Sequence, residues 1–168
     1  TTCLNPLHTA LAVSGCLLGY NLIADEMKDP LLRKFVEAIG YKEGLKVVVD
    51  PGIIDPKKFI DEVINVRFSN PYIPDTPQRI ATDTSQKVGI RFGQTIKAYA
   101  EREDLDPADL VAIPLAIATW CRYLLGVDDN GDKFTISPDP LADTLQGILA
   151  GVSLGDTNSN VRAILSNE

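Results

Sequence analysis

Asp-Pro pairs punctuate the chain, among them Asp50-Pro51, Asp55-Pro56, Asp106-Pro107 and Asp139-Pro140. An aspartate accepts from the free amides of a first helical turn, and proline at the first helical position lacks only an N–H that has no intrahelical partner there. At least three of these four pairs are therefore expected to start helices. Apolar residues follow at three- and four-residue spacings: Phe59, Ile60, Val63, Ile64 and Phe68 after the second, Leu110, Ile113, Ile117, Trp120 and Leu124 after the third, Leu141, Leu145, Ile148 and Leu149 after the fourth. The β-branched run Val47-Val48-Val49 stands isolated before Asp50-Pro51-Gly52 and reads as extended chain or a helix end. The expectation is an all-α fold, a multi-helix bundle with no sheet beyond a minor pair.

Residues 6–20 are apolar nearly all round, the pattern of a buried helix. Asn5 suits its N-cap and Pro6 its first position, which puts His8 in the first turn on the side of Asn5. Asn5 and His8 are thus either a cap and a satisfied ring or a polar pair kept for a ligand. Short helices are expected over 21–27 and from Pro30 to about Gly40. The stretch 70–87, NPYIPDTPQRIATDTSQK, is the most turn-rich. Pro77 fits a first helical turn capped by Asp75 or Thr76, and Thr82-Asp83-Thr84-Ser85 should break that helix before a second one runs to about Arg102. Arg79 then ends one short helix and Lys87 lies in the first turn of the next, where a cation opposes the helix dipole. Either both are solvated surface cations or the charge serves a ligand. From Asp106 a helix should run to about Leu125, with Pro114 kinking it or marking an early turn and Gly126 closing it. A last short helix spans Val161, Ile164 and Leu165.

A length of 168 residues with 45% apolar content suits one soluble domain. The net charge of −7 argues against general nucleic-acid or anionic-membrane binding. Cys3, Cys16 and Cys121 are odd in number and form no C-x-x-C, so they read as buried or free thiols of a reducing compartment, the cytoplasm. A single histidine leaves a zinc site without its usual ligands, and no metal is expected. No apolar run approaches membrane-spanning length. The acidic run Asp128–Asp132 lacks the spacing of a calcium loop and reads as a turn. No glycine-rich phosphate turn follows a strand, and no nucleophile elbow is present. The first residue is Thr and the apolar pattern begins almost at once, as in a chain entered on its N-terminal side.

Asn5-Pro6-Leu7-His8 before an apolar helix resembles the N-x-x-H half of the K-x-x-x-x-N-x-x-H signature of the long-chain polyol dehydrogenases. This is the mannitol dehydrogenase family, which also holds fructuronate and tagaturonate reductases. A second signature of that family is matched by Arg67, Phe68, Asn70, Pro71, Asp75, Thr76, Arg79, Asp83, Ser85 and Lys87. The sequence departs from it at Thr84, where many members carry glycine. Two signatures in the right order extend the resemblance over residues 1–168, as the family's helical, substrate-binding C-terminal domain.

The resemblance implies an NAD- or NADP-dependent secondary-alcohol dehydrogenase acting on a polyol or sugar acid. The family's general base is a lysine that would stand one residue before Thr1, and its N-terminal Rossmann domain, which would bind most of the dinucleotide, is absent from this chain. Asn5 and His8 would hold the reacting oxygen as fixed donors, and Arg79 and Lys87 would bind hydroxyls or the far end of the substrate. Asn70, Asp75 and Asp83 either support the site or cap helices. The rival reading is a non-catalytic helical binding or dimerisation module.

Overall fold

The computed structural model describes residues 3–49, 52–153, 155–156 and 160–166, so the expected start at Asp50-Pro51 lies outside the described residues. Helices α1 (Asn5–Leu18), α2 (Ile23–Glu26), α3 (Pro30–Glu37), α4 (Pro56–Glu62), α5 (Pro77–Ile80), α6 (Thr84–Glu101), α7 (Ala112–Leu124), α8 (Ala142–Ile148) and α9 (Val161–Leu165) follow in order. Among the described residues the only β pairing is an isolated antiparallel bridge between Val127 and Lys133. The fold is all-α, as the apolar periodicity requires.

Helix α1 is the axis of the bundle. Every residue from Pro6 to Leu17 is buried, and α2, α3, α5, α6 and α7 pack around it. It starts one residue earlier than expected. Leu4 occupies the N-cap position, no side chain caps the end, and Asn5 is helical rather than the cap. Proline is tolerated at the second position as at the first, because none of the first amides has an intrahelical acceptor. Gly19, at φ 75°, closes the helix in the left-handed region that glycine enters without strain.

The Asp-Pro starts divide by what else the aspartate can reach. Asp55 caps α4 as expected, and Asp29, before Pro30, caps α3 in the same way through the amides of Leu31 and Leu32. Asp106 caps only the 3₁₀ turn Pro107–Asp109, and α7 begins afresh at Ala112. Its leading amides, from Val111, Ala112 and Ile113, donate to the buried carboxylate of Glu43 at 2.7, 2.7 and 2.8 Å. Pro114 then lies in the first turn and bends nothing. Asp139 accepts from Leu141, but its carboxylate also takes the Ser85 amide at 2.8 Å and the Thr84 and Ser85 hydroxyls. It thus caps α6 from across the fold, and α8 starts only at Ala142.

Two π-helical segments extend α3 and α4. Ala38–Glu43 turns Glu43 inward before the 3₁₀ turn Gly44–Val47, which takes up the first part of the valine run. Val63–Arg67 follows α4 and leaves Phe68 buried. The Asp128 run is a turn, with the Asp128 carboxylate accepting from the amides of Asn130 and Asp132.

Helix α1 meets α5 and α2 closely at Gly15. A Cβ on Gly15 would lie 2.6 Å from the Pro77 ring and 2.4 Å from Glu26 Oε1. Glu26 is fully buried and neither carboxylate oxygen has a hydrogen-bond partner. Burial pushes its pKa up to about 9, so it is protonated at neutral pH.

Two predictions follow from this contact. In Gly15→Ala, the helix-propensity gain of about 0.5–1 kcal/mol is expected to lose to overpacking of about 1–3 kcal/mol. The melting temperature should therefore fall; a rise would show that Pro77 yields. For Glu26, the raised pKa gives a stability contribution that is intact below the ordinary pKa of 4.5 and lost as pH climbs towards 9. Glu26→Gln should match the parent near pH 4.5 and exceed it by on the order of 3 kcal/mol at pH 7. Melts that show no pH-dependent difference would place the carboxyl in water.

Candidate functional site

The sequence from Asp75 to Arg79 is shaped by its cap. Thr76, not Asp75, caps α5, its hydroxyl accepting the Arg79 amide at 3.2 Å. The Asp75 carbonyl takes the Ile23 amide at 3.0 Å, which ties the segment to α2 and leaves the Asp75 side chain free to face α1. There it meets His8. His8 Nε2 lies 3.4 Å from Asp75 Oδ2, and the imidazole rests on the Phe68 ring with centroids 5.0 Å apart. Arg79 binds the other Asp75 oxygen, and Arg67 stands 3.7 Å from the first.

His8 and Asp75 are both only 7% exposed, yet they are not an ion pair at neutral pH. Burial is the largest influence on His8 and lowers its pKa to about 4. Asp75 opposes that shift, while Arg67, Arg91 and Arg79 add to it. The ring is neutral, and its buried Nε2 has no hydrogen-bond partner. An orphaned polar atom of this kind is what a ligand oxygen would satisfy.

Lys87 lies beside this cluster, in the first turns of α6. Its ammonium donates to the carbonyl of Ile80, at 3.1 Å, and to that of Thr82. The dipole conflict expected at the α6 start is thereby offset, because those carbonyls belong to the C-terminal end of α5 and the break beyond it. Burial, then the nearby Arg91, lower the Lys87 pKa. Lys87, Arg91, Gln86 and Gln94 line one cleft of about 300 Å³ with Asn5 and Pro6. Arg91 Nη1 reaches back to α1, at 2.5 Å from Thr9 Oγ1 and 3.4 Å from the Asn5 carbonyl.

Of the residues singled out in sequence, Asn5, His8, Asp75, Arg79 and Lys87 fall into two adjoining groups. Asn5 and Lys87 share the cleft, and His8 and Arg79 meet through Asp75. Arg79 acts electrostatically on both His8 and Lys87, as does Arg91. Asn70 is not part of either group: its Oδ1 accepts the Tyr72 amide at 2.9 Å and closes a local turn. Asp83 is exposed, sits in the left-handed region at φ 57°, and does not cap α6 with its side chain, because Asp139 already holds those donors. Asp75 is likewise no cap. Thr84 is buried, with its hydroxyl between Asp139 and the indole N–H of Trp120. Arg91 was not anticipated, although its place four residues after Lys87 puts it on the same helical face. A larger groove, about 490 Å³ among Leu17, Leu18, Leu31, Phe35 and Leu115, contains none of these residues and is mostly apolar.

Residues 2–168 match the family model for the mannitol dehydrogenase C-terminal domain. The chain is 64% identical to a D-mannonate oxidoreductase of Thermotoga maritima, over 100% of this chain and 32% of that protein. It is 31% identical to the D-mannonate oxidoreductase of Escherichia coli, over 96% of this chain and 32% of the relative. Among solved structures it superposes on Pseudomonas fluorescens mannitol 2-dehydrogenase, in ternary complex with NAD and D-mannitol, with a TM-score of 0.77 at 30% identity over 96% of this chain and 35% of that one. The chain spans about a third of the length of these relatives. With Asn5 and His8 of one signature brought beside Asp75, Arg79 and Lys87 of the other, and the match running over residues 2–168, the chain belongs to the mannitol dehydrogenase C-terminal domain family.

Proposed function

We propose that this chain is the substrate-binding and catalytic part of a dinucleotide-dependent dehydrogenase that interconverts an open-chain polyol or sugar acid and its ketose. The observation that carries this reading is the neutral, buried Nε2 of His8, unpartnered beside an Arg–Asp–Arg cluster and one helical turn from Asn5. The names of the relatives support the substrate class, and the Pseudomonas complex supports NAD over NADP.

Among the described residues no strand leads into a glycine turn of the kind that cradles a pyrophosphate. Dinucleotide binding is assigned to a Rossmann domain carried elsewhere in a longer polypeptide, in keeping with the chain's spanning about a third of its relatives' length. The cytoplasm is the compartment proposed, on the buried thiols Cys16 and Cys121.

This chain's own part is to bind and orient. With Nε2 protonated, His8 is a neutral donor to the substrate oxygen; Asp75 Oδ2, 3.4 Å away, favours that tautomer without taking up the N–H in a hydrogen bond. The Asn5 amide is the second donor. Both interactions strengthen as that oxygen gains charge, which lowers the barrier rather than merely tightening binding. Arg79, held by Asp75, and Lys87 fix the part of the substrate that does not react.

In the full-length enzyme His8→Ala should mainly lower kcat, by roughly 10²-fold, as for loss of one oxyanion donor. Arg79→Ala should mainly raise KM. Near-parental kinetics in both variants would leave a core histidine and a surface cation, and would defeat the assignment.

The pH dependence offers a separate check, because His8 is the only histidine in the sequence. With a folded pKa near 4 against an ordinary 6.5, its stability contribution is intact above pH 6.5 and lost as pH falls towards 4. Its NMR titration midpoint should lie near 4 and move lower still in Asp75→Asn, which removes the influence that raises it. A midpoint near 6.5 would put the ring in solvent.

A further inference from the structure

The two halves of the site differ in how their cations are balanced. Arg79 and Arg67 converge on the Asp75 carboxylate. One carboxylate answers one of the two positive charges there and commits donors of both guanidiniums, which suits hydroxyl groups. Lys87 and Arg91 stand differently. They are four residues apart on α6, the spacing that brings side chains together on one face and makes like charges repel. No carboxylate among the described residues forms an ion pair with either. Asp83 and Asp139 act on Lys87 only from longer range, and Asp139 is occupied by the donors at the start of α6. Both cations are partly withdrawn from water, and burial is the main cause that lowers the pKa of each.

Arg91 is also oriented. Its two bonds to α1, to Thr9 Oγ1 and the Asn5 carbonyl, both use Nη1. That fixes one side of a planar group whose donors form a fork matched to carboxylate. The cleft, about 300 Å³, is at the small end of the range for small-molecule sites. Two like charges held close together in it are stabilised when an anion enters.

We propose that Arg91, with Lys87, is the carboxylate anchor of this site, and that the substrate is accordingly a sugar acid rather than a neutral polyol. This rests on the dehydrogenase reading above and adds to it the residue that selects the substrate class. The reacting carbinol lies at Asn5 and His8, and the carboxylate lies in the cleft that Asn5 also lines, against Lys87 and the open side of the Arg91 fork. A dinucleotide phosphate is the other anion such a pair could hold, and the test separates the two.

The experiment uses the full-length enzyme with D-mannonate and D-mannitol as the charged and neutral probes. The parent should prefer the acid in kcat/KM. Arg91→Gln should reduce the acid-to-polyol ratio of kcat/KM at least tenfold, through KM for the acid, without a matching rise in KM for the dinucleotide. Arg91→Lys keeps a charge but loses the fork, and should give an intermediate ratio. Should Arg91→Gln fail to fold, the ratio in Arg91→Lys decides. An unchanged ratio, or equal losses for both probes, would reduce Arg91 to a brace between α6 and α1 and overturn the proposal. A rise confined to the dinucleotide KM would overturn it in favour of a phosphate contact. A parent that oxidises the polyol as well as the acid defeats the carboxylate anchor alone, whereas no turnover of either probe defeats the dehydrogenase reading with it.

Discussion

Gly15 is where this fold is decided. With no Cβ on α1 at that point, the Pro77 ring comes within 2.6 Å of where one would be, and α5 lies directly against the axis helix. His8 is seven residues earlier, two helical turns along the same face. The approach that seats Pro77 on Gly15 therefore also brings Asp75 and Arg79 to His8. A bulkier residue at position 15 would act on the site as well as on the core, since α5 is a single turn with little of its own to hold it in place. Glu26 completes that contact as a neutral carboxyl, and its lack of a hydrogen-bond partner makes the junction sensitive to alkaline pH.

Polar groups recruited over long distances organise the rest. Glu43 caps α7 from 68–70 residues away in sequence, and Asp139 caps α6 from 54. Each places a negative charge at the positive end of a helix, where the dipole favours it. At the other pole Lys87 sits on the last carbonyls of α5. The turn between α5 and α6 is thus bounded by a carboxylate on one helix end and an ammonium on the other. A short, polar, proline-rich segment becomes rigid enough to carry a site because both of its helix ends are answered from outside it.

The division of charge within the site has a physical consequence for recognition. Two guanidiniums sharing one buried carboxylate present directed donors with a single net charge between them, and suit hydroxyls. An unpaired pair of cations in a narrow cleft presents a field, and suits an anion. Both kinds occur here within one patch, so a molecule with hydroxyls along its length and one charged end would engage both. His8 is kept neutral by the same arrangement, because burial and three arginines outweigh the one carboxylate beside it.

The helices were legible in the sequence because their signals are local. The 3.6-residue apolar period, the cap at Asp55-Pro56, the break before Thr84 and the glycine at Gly126 each act within one or two turns, and the structure keeps them. The positions of Arg79 and Lys87 at the end and start of neighbouring helices could be read in the same way. What the chain alone did not disclose were the choices among competing partners. Asp106 looks as strong a helix start as Asp55, yet α7 takes its cap from Glu43. Asp75 and Asp83 look like caps, yet one faces a histidine and the other faces solvent. The role of Arg91 depends on α6 crossing α1 at Thr9. Such outcomes are set by which side chain arrives at a helix end or a cleft with the better geometry and the lower desolvation cost, and that is settled only when segments far apart in the chain are packed together.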